Sequence, residues 1–176
     1  MTTSSMEDLL EPVLNYGSYP GITVDKLWPY LHPPLLIAWL PLMLVPRWKF
    51  TKIVTLVLPF LHGVLYSLIY LPIMLKGADP NDEIPPDISS MESIYLQFQK
   101  PTIFFIGWTH YLVFDLLVAR GIAYDAIENC NISRFKYYTL IIPCLFFCFN
   151  GGPIGYTLYM ILKGVGLIKA NKEKRE

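Results

Sequence analysis

Charge is scarce in this chain, cysteine is scarcer still, and Lys and Arg are missing altogether before Lys26. Only 16% of the residues are charged while 53% are hydrophobic, whereas about a quarter of an ordinary soluble domain is charged. That balance excludes a water-soluble domain of the usual kind and points to a chain solvated by lipid. Basic and acidic residues number 14 each, so no excess of positive charge marks a nucleic-acid footprint, and nucleic acid is not an expected partner. The three cysteines, Cys130, Cys144 and Cys148, are odd in number and form no CxxC pair. They support neither a disulfide framework nor a zinc site, and read as buried thiols. Residues 1–13 carry Glu7, Asp8 and Glu11 without a single Arg or Lys, which fits neither a secretory signal nor an Arg-rich transit peptide. No glycine-rich phosphate loop is present, and no Ser or Cys has an evident base and orienting group beside it.

What is present is a series of long apolar runs. The chain reads as all-α, a polytopic integral membrane bundle of four transmembrane helices, with spans at about 33–46, 53–75, 103–124 and 137–162. A polar, irregular N-terminal arm occupies residues 1–26 and a basic tail residues 163–176. Several spans are interrupted: Pro41 in the first, Pro59 and Pro72 in the second, and Asn150-Gly151-Gly152-Pro153 in the last, each of which bends or breaks a helix and frees carbonyls that need partners inside protein. The first span is short enough to be tilted, kinked or begun earlier, near Trp28. Ser90 with Met91-Glu92-Ser93 resembles a helix start, so residues 91–99 are expected to lie as a short helix along the interface. Lys169, Lys172, Lys174 and Arg175 in the tail are placed to meet lipid headgroups.

Polar chemistry concentrates in the third span. Asp115 falls near its middle, where an ionised carboxylate costs about 2.5–3.5 kcal/mol on insertion scales, so it must face protein. At 1.5 Å per residue, His62 about 13 positions into the second span, Asp115 about 12 into the third and Asn150 about 12 into the fourth differ by only ~2 Å in depth. These three are therefore expected to form a buried polar layer, with Asp115 held by His62, by the 150–152 break, or by both. Such a layer fixes helix register, handles protons, or stabilises charge in a lipid-soluble substrate. A haem held by His62 and His110 is disfavoured, because the two differ in depth by about 9 Å. No metal is expected.

The run Gly107-Trp108-Thr109-His110-Tyr111-Leu112, with Phe114-Asp115-Leu116 and Ala119-Arg120, then Asp125, Glu128-Asn129 and Arg134, resembles the signature of the abscisic-acid-deficient-four-like family. Pro143-Cys144-Leu145-Phe146, Gly152-Pro153-Ile154-Gly155, Pro59 and Gly63-Val64-Leu65-Tyr66 agree with it, so the likeness covers most of residues 38–162. The resemblance implies a small four-span membrane protein, and the family's plant members are implicated in making neoxanthin from violaxanthin in plastids. Trp108, His110, Asp115, Arg120 and Asp125 would be the shared polar positions; His62 departs from the apolar residue expected in the second span.

Two functions from different classes follow. The first is a non-catalytic accessory subunit of a large respiratory or photosynthetic membrane complex, in an organellar inner membrane and more in keeping with mitochondria than with thylakoids. Its partners would be membrane lipids and other integral membrane subunits, with no cofactor beyond bound lipid or carotenoid. The alternative is a membrane-embedded intramolecular isomerase of a carotenoid or similar lipid, with His110 and Asp115 as its candidate acid–base groups.

Overall fold

The computed structural model describes residues 24–76 and 89–169, with side chains over residues 26–71 and 89–169. All regular structure there is helical. Helix α1 runs Val24–Leu44, α2 Lys49–Lys76, α3 Met91–Phe98 and α4 Pro101–Tyr124, which passes into a π-helical turn at Asp125–Asn129. After a short loop, α5 (Arg134–Lys136) leads through a second π-helical stretch, Tyr137–Ile141, into α6 (Ile142–Gly151), and α7 (Pro153–Gly164) follows. Most of the arm expected over residues 1–26 lies outside the described residues; its last three are already the first turn of α1.

Three helices, Lys26–Leu44, Lys49–Leu71 and Pro101–Asn129, are long and apolar enough to cross a membrane. This is a membrane protein. The windows of the first two are only 28% and 22% buried, against 50% for the third, so the helix that carries the polar residues is also the most enclosed. Its partners turn a reversed pattern inward. Along α2 the buried positions are Thr51, Thr55, Pro59 and His62, while Ile53, Leu56, Val57, Phe60 and Leu61 are exposed, as expected when small and polar residues make the helix contacts and apolar ones meet lipid. Thr55 Oγ1 donates to the Thr51 carbonyl at 2.7 Å and Thr51 Oγ1 to the Val45 carbonyl at 2.9 Å, so neither hydroxyl is buried without an acceptor.

The described residues fall into two compact units. One takes the chain through Pro33 together with His62–Tyr111; the other takes Pro34–Leu61 and everything from Leu112. In the first, α1 begins well before residue 33, with Pro29, Pro33 and Pro34 inside it. Pro33 and Pro34 release the carbonyls of Pro29 and Tyr30 from the helix ladder, and the two histidines donate to carbonyls on either side, His32 Nδ1 to Trp28 at 3.0 Å and His62 Nε2 to Leu31 at 2.6 Å. Helix α3 starts where its signal placed it: the Ser90 hydroxyl accepts from the Ser93 N–H at 3.1 Å as N-cap.

In the second unit the last expected span, 137–162, is not one crossing. Gly152 and Pro153 end α6, and α7 doubles back along it, so that a Cβ on Gly155 would overlap the Cys144 carbonyl, the Cys148 backbone nitrogen and the Cys148 sulfur. In a continuous helix Gly155 and Cys144 would stand about 16 Å apart. Only glycine allows that approach, the condition under which two helix backbones meet. Both ends of this hairpin return to the loop after α4. Tyr137 and Tyr138 donate their hydroxyls to the carbonyls of Leu42 at 2.9 Å and Leu44 at 2.6 Å, two of the acceptors that the end of α1 leaves without intrahelical partners. At the other end of the hairpin, Lys163 Nζ donates to Asp125 at 2.6 Å.

Candidate functional site

Asp115 is 7% exposed and lies against the tip of the hairpin: a Cβ on Gly152 would overlap its Oδ1. The lengths match, since Asp115 to Asp125 along α4 is ten residues, about 15 Å, and Gly152 to Lys163 along α7 is eleven, about 16 Å. Gly152 is the N-cap of α7, where first-turn N–H groups lack intrahelical acceptors and favour a neighbouring negative charge. Cys148 closes the same corner by donating its thiol to the Gly152 carbonyl at 3.5 Å.

The expected polar layer is corrected in one member. Asn150 is exposed and its amide donates to the Phe146 carbonyl one turn back, at 2.8 Å, because the hairpin bend turns that position away from the interior. His62 is buried, with Nε2 on Leu31, in the first unit, and Asp115 belongs to the second. The element that meets Asp115 is the glycine of the break rather than its asparagine.

The five positions singled out on α4 and just beyond divide between the units. Trp108 stacks with Phe104, Tyr111 and Trp28 at centroid distances of 6.1, 5.7 and 6.4 Å. His110 is exposed, its ring 5.8 Å from that of Tyr66. Asp115, Arg120 and Asp125 belong to the second unit, where the Arg120 guanidinium lies over the Tyr124 ring at 5.0 Å. Asp125 accepts from the Tyr159 hydroxyl, from Lys163 Nζ and, at 2.9 Å, from Asn129 Nδ2, so it ties the return arm of the hairpin to the end of α4. Beside it, Lys52 pairs with Glu128.

A helical separation of five residues turns by about 140°, which points His110 and Asp115 away from a common atom. Among the described residues no three His, Cys, Asp or Glu side chains gather to hold a metal. Lys169 is exposed beside the loop at residues 130–136, while Lys172, Lys174 and Arg175 lie outside the described residues.

A family model for ABA DEFICIENT 4-like proteins matches residues 31–159. The chain belongs to the ABA DEFICIENT 4-like family. That match runs from α1 into α7 and includes Trp108, His110, Asp115, Arg120, Asp125 and Gly152. No curated protein and no solved structure matches this ABA4-like chain.

Sequence reasoning missed several residues that the ABA4-like fold uses. His32 is buried against Trp28 and edge-on to Phe105, at 3.8 and 5.7 Å between centroids. Tyr159 and Lys163 gave no signal because their acceptor, Asp125, is reached only when α7 reverses.

Proposed function

We propose that this ABA4-like chain is a non-catalytic subunit of a larger membrane complex, built of three crossings and one re-entrant hairpin in an organellar inner membrane. The observation that carries the reading is the contact of Asp115 with Gly152. A catalytic carboxylate needs open space for a reacting atom, and here the space beside Oδ1 is filled by helix backbone. The carboxylate then acts as the register pin between α4 and the hairpin, a role buried polar groups take elsewhere. The largely unburied apolar faces of α1 and α2 suit contact with lipid and with other membrane subunits. A mitochondrial rather than thylakoid membrane is the favoured setting.

A second reading, a carotenoid or lipid isomerase using His110 and Asp115, draws on the family and on the half-exposed ring stack of Trp28, Phe104 and Trp108, which would suit a flat polyene. One experiment separates the two. Purified in mild detergent from its own membrane, a subunit migrates with a fixed stoichiometry of partners by native mass spectrometry, and Asp115→Asn lowers assembly without touching any turnover. Recovery of a lone chain that holds pigment, and whose turnover of it falls with Asp115→Asn, would overturn the subunit reading.

A further inference from the structure

The turn between α1 and α2 and the loop before α5 meet where Arg47 donates to the Ile132 carbonyl. Beside that contact is a cavity of about 500 Å³, lined among others by Arg47, Arg134, Trp48, Tyr138, Leu44 and Val45. Its charged lining residues, Arg47 and Arg134, are both basic. Two arginines line it, and the acids that follow α4 are matched elsewhere, Glu128 by Lys52 and Asp125 by Lys163. Neither Arg47 nor Arg134 has a carboxylate partner among the described residues. The hydroxyl of Tyr138 is committed as a donor to the Leu44 carbonyl. Such a lining suits an anion, and a guanidinium matches the oxygens of a phosphate.

The rest of the lining says what the phosphate is attached to. Leu44, Val45 and Trp48 are all exposed at the end of a helix long and apolar enough to cross a membrane. Leu36, Leu40 and Leu44, spaced by four and all exposed, make one apolar stripe down the outer face of α1 from the cavity mouth. Trp48 has the amphipathic ring that favours the headgroup zone. We propose that this cavity binds one anionic phospholipid, its phosphate between Arg47 and Arg134 and its acyl chains along the Leu36–Leu40–Leu44 stripe. A zwitterionic headgroup brings a third cation into a cavity that already holds two, which disfavours phosphatidylcholine. The site stands whether the chain is a subunit or an enzyme.

The test uses the full chain in nanodiscs of phosphatidylcholine doped with phosphatidylglycerol, with retained lipid counted by native mass spectrometry after release. One phosphatidylglycerol per chain is expected above the phosphatidylcholine background. Arg134→Gln removes a side chain with no hydrogen bond or ion pair among the described residues, so the thermal unfolding midpoint stays put while retention falls ~fivefold, the loss expected for one cation near an anionic lipid. Arg134→Lys restores part of it. Equal retention of the two lipids, indifference to Arg134→Gln, or stripping of the lipid by millimolar glycerol phosphate would each overturn the assignment.

Discussion

Gly152 decides how close the hairpin tip comes to Asp115, and its replacement is the sharpest probe at the level of single residues. A methyl group there overlaps Asp115 Oδ1, and forcing extra volume into a filled interior costs about 1–3 kcal/mol. Gly152→Ala is therefore expected to lower the thermal unfolding midpoint of the detergent-purified chain. Asp115→Ala in that background should recover part of the loss, since it removes the atom in the way. Strictly additive effects of the two substitutions would show that the residues do not touch. That Asp115 is buried was readable from its position halfway along an apolar run. The 150–152 break was readable as its neighbour too, but not which residue of the break, because depth counted along straight helices put Asn150 at that level and the bend turns that side chain outward.

Among the elements, the hairpin departs furthest from expectation. Asn150-Gly151-Gly152-Pro153 announced a break, and the nearby Gly155 announced a close approach, but a kinked crossing and a full reversal place the same residues at the same spacing. The reversal is visible only through contacts far apart in sequence, Gly155 with Cys144 and Lys163 with Asp125. The second of these gives a further prediction. Both side chains are about a third exposed, so after solvent screening the pair contributes about 1 kcal/mol or less. Lys163→Gln and Asp125→Asn should each lower the unfolding midpoint slightly, and the double variant should lose less than the sum. Asp125→Asn should cost more than Lys163→Gln, because Asp125 also serves Tyr159 and Asn129. An Asp125→Asn chain as stable as the parent would remove Asp125 as the tie between hairpin and α4.

For the whole molecule, the reversal changes which side of the membrane the tail occupies. Four crossings would put the residues after α7 on the face opposite the α1–α2 turn; three crossings and a hairpin put them on the same face. Arg47, Lys49, Lys52, Arg134, Lys136 and Lys169 then share one side, and the positive-inside rule assigns it to the side from which the chain is inserted. Single cysteines at Lys49 and Lys169, in a background with Cys130 replaced by Ser, should be labelled by an impermeant reagent from one face of sealed vesicles, and a cysteine at Met91 from the other. Labelling of the Lys169 position together with Met91 would restore the fourth crossing and discard the re-entrant hairpin.

Composition and the length of apolar runs were enough to establish an all-helical membrane protein with its polar residues on the third long helix, because lipid forces backbone groups to pair within each segment and penalises every stray charge. The spaced Trp, His, Asp and Arg were enough to place the chain in its family. Tertiary structure alone decided that the final segment turns back, that a glycine rather than an asparagine lies against Asp115, and that two arginines from distant loops line one cavity. Reversal at a glycine pair depends on which backbones approach once the helices assemble, and that contact energy leaves no period or composition in the chain for sequence reasoning to detect.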